Sequence, residues 1–145
     1  MPGQFDLDRF VEAQRASYPQ ALSELRAGRK QSHWIWFVLP QLRGLGQSHF
    51  SHLYGIASRA EAEAYLQHPV LGARLVECIE AIVAHKDRSA IEILGTVDAL
   101  KFKSCLTLFE AVAPNQPAFA AALQQFYAGD RCPNTLALLV SQGGA

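Results

Sequence analysis

Helix start and stop signals recur along the whole chain, while the period-two alternation of β-branched residues that marks half-buried strands hardly appears. A chain punctuated this way is expected to fold as an all-α protein, a single compact domain of about eight or nine short helices. Asp6 can cap a first helix through Phe10, Val11 and Gln14, and Tyr18 followed by Pro19 opens a second, with Gly28 beyond its end. A third runs from His33 to Val38 and stops at Pro40, because proline disfavours helical geometry in the residue before it. Gly44 and Gly46 then make a loop, and Ser48 caps a short helix through Phe50 and Tyr54.

Ser58 with Glu61, and Ser89 with Glu92, have the spacing of capping boxes. Between them, His68 and Pro69 begin the longest amphipathic segment, where Leu71, Leu75, Cys78, Ile79, Ile82 and Val83 share one face. It is expected to be a central helix. Gly95 ends the next piece, and Thr96 caps a helix through Leu100, Leu108 and Val112. Asn115 with Pro117, then Cys132 with Pro133, begin the last two.

Half of the 145 residues are hydrophobic and 18% are charged, which describes a chain able to bury a core and excludes a disordered one. Basic and acidic residues balance at 13 each, so the counterion-releasing surface that nucleic-acid binding draws on is missing. The first residues, MPGQFDLDRF, lack the cationic start and apolar run of a secretory signal. The longest apolar stretch, Trp34 to Leu39, is far short of a membrane span. Cys78, Cys105 and Cys132 are odd in number and widely spaced, and read as reduced thiols of a cytoplasmic protein without zinc or disulfide. No cofactor is expected, and nothing specifies a protein partner.

The stretch Lys30 to Ser48, KQSHWIWFVLPQLRGLGQS, concentrates both tryptophans with a histidine, two basic residues and two glycines. Indole rings bury a large area and still ask for an N–H partner, so Trp34 and Trp36 beside His33 and Lys30 suggest a wall with one dry and one polar side. His33, between Ser32 and Trp34, is a candidate donor or proton carrier, or else a satisfied core histidine. The GLGQS loop, Gly44 to Ser48, runs into a helix start with Arg43 just upstream, where exposed N–H groups favour an anion such as phosphate. The same glycines also serve merely to turn the chain. No Walker lysine, GxSxG elbow, HExxH or CxxC is present. His49 and His52, one turn apart without a carboxylate or cysteine at ligand spacing, read as surface histidines.

Asp98, Lys101, Ser104 and Thr107 recur at intervals of three in an otherwise apolar helix. This polar stripe either contacts a ligand, or consists of an Asp98–Lys101 pair with hydroxyls bonded back to the preceding turn.

Four segments carry a resemblance: RFVEAQ (Arg9 to Gln14), GRKQSHWIWFVLPQLRGLGQS (Gly28 to Ser48), EAEAYLQHPVLGARL (Glu61 to Leu75) and DALKFKSCLTLF (Asp98 to Phe109). Together they resemble the bacterial family known as domain of unknown function 1810, from about Asp6 to Leu139. The resemblance implies a compact all-helical fold and no established activity. More distantly, the first helix resembles the EHYFQAQK helix of the NADAR family, N-glycosidases acting on ADP-ribose-type ligands. Laid over this chain, that family's acidic position falls on Asp8 and its Ala-Gln pair on Ala13 and Gln14, while Asp98 would take the place of its later aspartate.

Two readings follow. In the first, one pocket holds a phosphate-bearing, nucleotide-like molecule: Trp34 or Trp36 stacks on a flat ring, Arg43, Lys30 and the Gly46 to Ser48 amides hold phosphate, and Asp8 or Asp98 is the acid or base. Lys101, Ser104 and Thr107 orient the sugar or the acid, with Gln14, Gln41, Gly44 and His33 completing the set. In the second, the same residues form a buried polar network in a non-catalytic module that binds a protein or a metabolite.

Overall fold

The computed structural model describes residues 5–46 and 48–142. Among them are nine helices and no strand: α1 (Asp8–Ala27), α2 (Ile35–Val38), α3 (His49–Tyr54), α4 (Arg59–Gln67), α5 (Leu71–Val83), α6 (Ala90–Leu94), α7 (Thr96–Val112), α8 (Pro117–Tyr127) and α9 (Pro133–Ser141). The all-α expectation and the number of helices both hold.

The break expected at Tyr18 does not occur. Residues Asp8 to Ala27 form one continuous helix with Pro19 inside it, capped by Leu7 rather than by the Asp6 side chain. Burial decides this: Phe10, Gln14, Tyr18, Ala21, Leu22 and Leu25 form one stripe running the whole length. Pro19 lies on the exposed face, so the Arg15 carbonyl that loses its helical partner can turn to water. Gly28 ends the helix at φ 77°, and a Cβ there would sit 2.9 Å from the His85 ring.

The α1 stripe packs on α5 and α2, α4 bridges α5 and α7, and α8 covers α5 and α7. Although α5 buries Leu71, Leu75, Cys78, Ile79 and Ile82 on one face as expected, the innermost helix is α7. Its residues Ser104 to Phe109 are all buried, flanked by α4, α6, α8 and α9. A file of rings ties the layers together: Phe10 meets Tyr65 edge-on at 5.1 Å, Tyr65 meets Phe109 at 5.4 Å, and Phe109 stacks on Phe119 at 5.9 Å.

The Ser89–Glu92 capping box forms reciprocally. At α4 only half of the box exists: Ser58 accepts from the Glu61 amide, but the Glu61 carboxylate takes the Ala57 amide at 2.7 Å and Arg9 at 2.9 Å. This buried ion pair ties α1 to α4, and Arg9 also donates to the carbonyls of Leu53 and Gly55, which fastens α1 to the end of α3. An isolated parallel bridge, Leu42 with Ile56, fixes the loop after α2. No helix among the described residues is long and apolar enough to cross a membrane.

Candidate functional site

The Lys30-to-Trp36 segment and the start of α7 meet. Lys30 leaves the α1 cap with its amide donating to the Ile93 carbonyl at 2.7 Å, which aims its side chain at the first turn of α7. There its ammonium lies 2.8 Å from Asp98 Oδ2 and 5.1 Å from the Trp34 ring. Lys101, one turn further along, approaches the other Asp98 oxygen at 3.5 Å and sits 3.7 Å over the Trp36 ring. Two ammonium groups and two indoles therefore converge on one carboxylate. Asp98 also favours the helix start by its charge.

Behind this cluster stands a residue that the sequence reading did not single out. Glu24, 4% exposed, accepts from the Gln31 and Ser32 amides, the Ser32 hydroxyl, the Gln20 side chain and the Trp34 indole at 2.6–3.0 Å. Burial alone would raise its carboxyl pKa, but the hydrogen bonds from Ser32, Gln20, Gln31 and Trp34 outweigh burial and hold it at about 2. Trp34 is thus a buried anchor, 1% exposed, and its face is closed to a ligand.

In front of the cluster opens a pocket of about 410 Å³. Trp36, Gln41, Leu45 and Gly46 form one wall, Leu100, Lys101, Lys103 and Ser104 of α7 another, and Cys132, Pro133 and Asn134 at the start of α9 the third. Five of the expected residues therefore share one hollow: Trp36, Gln41, Gly46, Lys101 and Ser104. Lys30, Trp34 and Asp98 lie one layer deeper, connected to it through Lys101. Among the described residues no Asp, Glu or His lines the pocket.

The lower half of the polar stripe belongs to the scaffold. Thr107 is fully buried, donates to the Lys103 carbonyl at 2.8 Å and accepts the Cys132 amide at 2.9 Å. The Ser104 hydroxyl lies 3.2 Å from the Leu100 carbonyl and 3.3 Å from Cys132 Sγ. Both hydroxyls bond back to the preceding turn, and both also hold the start of α9 in place.

The other expected residues point elsewhere. Asp8 is exposed and lines a separate hollow with Phe5, Asp6, Leu7 and His68. His33, also exposed, borders a small depression of about 250 Å³ with Gln20 and Ser32. Gln14 is buried, its amide donating to the Phe37 carbonyl at 2.6 Å and accepting from Arg74 at 3.2 Å. Arg43 turns to α3, where it donates to the His52 carbonyl at 2.9 Å and lines a third hollow with Arg9, His49 and His52.

The phosphate cradle expected at GLGQS is not built. Ser48 uses its hydroxyl to accept the Ser51 amide, the helix it caps is six residues long, and Gly44 is exposed at φ 108° as a turn residue. Gln47 lies outside the described residues. Lys103, Cys132 and Asn134 were missed because each is an ordinary residue in sequence; only the junction of α7 with α9 makes them neighbours.

A family model described as a protein of unknown function, DUF1810, matches residues 4–139. Among solved structures, the chain is similar to the conserved hypothetical protein Rv1873 from Mycobacterium tuberculosis, with a TM-score of 0.92 and 49% sequence identity, covering 94% of this chain and 97% of that one. No curated protein matches it.

Proposed function

The chain belongs to the DUF1810 family, and on the geometry of its pocket we propose that it binds a small phosphate-bearing, nucleotide-like molecule between the Gln41–Gly46 loop, α7 and the start of α9. The observation that carries this reading is the meeting of Trp36, Gln41 and Gly46 with Lys101 and Ser104, two segments far apart in sequence, around one opening of about 410 Å³. That volume lies within the range of small-molecule sites, roughly 300–1,000 Å³.

Each wall has a role. Lys101 and Lys103 supply positive charge for the phosphate. Lys101 is the looser partner of Asp98, at 3.5 Å against 2.8 Å for Lys30, so its ammonium can turn toward a ligand without stripping Asp98 of its main counter-ion. Gln41 and Asn134 offer amides to sugar or base edges, and Trp36, Leu45 and Leu100 form the apolar side.

Binding is proposed, and hydrolysis is not. A general acid or base must reach the reacting atoms. Asp8 and His33 border other hollows, and Asp98 is held between two ammonium groups. The N-glycosidase reaction suggested by the first helix is not carried over, since the Gln14 amide is spent inside the fold.

The test is isothermal titration with ADP-ribose, AMP and inorganic phosphate. Saturable binding of a phosphate-bearing nucleotide, weakened in Lys103→Ala, supports the reading. No heat with any of the three at millimolar concentration, or binding indifferent to Lys103→Ala and Gln41→Ala together, overturns it.

A further inference from the structure

The face of α7 that lines the pocket reads Val97, Leu100, Lys101 and Ser104, the i, i+3, i+4, i+7 spacing that sets four side chains in one stripe along a helix. That stripe changes character along its length. At the C-terminal end Ser104 is buried and its hydroxyl lies 3.3 Å from Cys132 Sγ, so the start of α9 closes the pocket there. In the middle the Lys101 side chain is 19% exposed with its ammonium over the Trp36 ring, and Lys103 stands on the flank. At the N-terminal end Val97 and Leu100 are each 64% exposed.

One exposed aliphatic side chain means little on a protein surface, but two on adjoining positions at the lip of a pocket extend its apolar wall. Val97 and Leu100 carry the lining of Leu45 and Pro133 outward to the mouth. At 1.5 Å of rise per residue, Val97 to Ser104 spans roughly 10 Å of helix axis. The pocket is thus a trough that is cationic and sheltered at one end, and aliphatic and open at the other.

We infer that the phosphate compound this pocket takes carries a linear aliphatic group, its phosphate between Lys101 and Lys103 and its chain running along α7 over Leu100 and Val97. The inference rests on the phosphate site of the preceding reading and adds the chain to it. Lys101 and Lys103 answer the charge of the head, and the chain covers the two side chains that the fold leaves in water. The occupant is a free single-chain molecule and not a bilayer surface: Lys101 is sheltered over Trp36, and basic and acidic residues balance at 13 each, without the cationic excess that draws a protein to anionic lipid.

The experiment is isothermal titration of the full chain with ethyl, butyl and octyl phosphate, which share one head. Kd is expected to fall with chain length, approaching about fourfold per methylene where the methylene is fully buried. Lys103→Ala should weaken all three by a similar factor. The double variant Val97→Gln, Leu100→Gln changes only exposed positions and should lose most of the chain-length gain while binding ethyl phosphate as the wild type does. Val140→Gln, at a comparably exposed aliphatic position of α9 that does not line the pocket, should keep the gain. A Kd that does not change from ethyl to octyl phosphate, or a gain retained in the double variant, overturns the proposal. So does sedimentation with phosphatidate vesicles that the double variant abolishes, since a bilayer would then be the occupant. AMP and ADP-ribose separate this inference from the reading it rests on: nucleotide binding through Lys103 without any gain from the chain refutes the chain alone, whereas alkyl phosphates bound through Lys103 with neither nucleotide bound refute the nucleotide alone.

Discussion

The Trp34 indole N–H donates to Glu24 Oε1 at 2.8 Å, and both side chains are buried. Through this bond the C-terminal half of α1 sets the position of the Ser32-to-Trp36 segment. Because Trp36 lines the pocket two residues on, Glu24 shapes a site it does not touch.

Acid should weaken the fold through Glu24. Its folded-state pKa of about 2 lies below the ordinary carboxylate value, so its contribution is present above the unfolded pKa and is lost as pH falls toward 2. Urea denaturation midpoints are expected to drop steadily between about pH 5 and pH 2. In Glu24→Gln that dependence should flatten. At neutral pH, Glu24→Ala strands several buried donors and should cost about 3–5 kcal/mol. Parallel acid profiles for wild type and Glu24→Gln would refute this account.

Lys30 and Asp98 should behave as one unit. The Lys30 side chain is 7% exposed and its ion pair with Asp98 is 2.8 Å. Asp98→Ala leaves a buried ammonium uncompensated and should destabilise by about 3 kcal/mol or more. Adding Lys30→Met to that variant should restore most of the loss, and a double-mutant cycle in urea measures it. Simple additivity of the two changes would mean the pair contributes nothing.

Pro19→Ala should stabilise the protein by about 1–2 kcal/mol, less than a full mid-helix proline penalty because alanine also frees the unfolded chain. Pro19 is exposed within a continuous α1, so alanine restores the amide that can reach the Arg15 carbonyl and buries nothing new. A thermal denaturation midpoint that falls instead would show that the chain needs the proline's rigidity there.

This same helix shows what was legible in the sequence. Many local signals were read correctly, Ser48, Ser89, Gly28 and Pro133 each marking a helix end, whereas Thr96, expected to cap α7, is its first residue with Gly95 at the cap position, and Asp6 gives way to Leu7 at the start of α1. Pro19 misled because its breaking tendency was overridden by a buried stripe whose partner, α5, is remote in sequence. Glu61 did the same on a smaller scale, leaving its capping box for Arg9. The odd composition of Lys30 to Ser48 did mark a polar cluster, yet composition does not say which side of an indole faces in. That choice was made by Glu24 for Trp34 and by Lys101 for Trp36, both through side-chain contacts.

Ligand affinity offers the sharpest separation of pocket from scaffold. Lys103 lines the pocket outside the Asp98 cluster, with its ammonium 5.8 Å from the centre of the Tyr127 ring. Lys103→Ala should therefore keep the fold while removing one charge-assisted contact, worth about 1.5–3 kcal/mol or roughly a tenfold to hundredfold rise in Kd. Asp8→Asn, in a different hollow, should leave Kd within about twofold. Raising salt should weaken binding to the wild type more steeply than to Lys103→Ala, since the variant has one fewer charge to screen. If Asp8→Asn weakens binding as much as Lys103→Ala, the ligand sits against α1 rather than between α7 and α9, and the walls assigned to it here are the wrong ones.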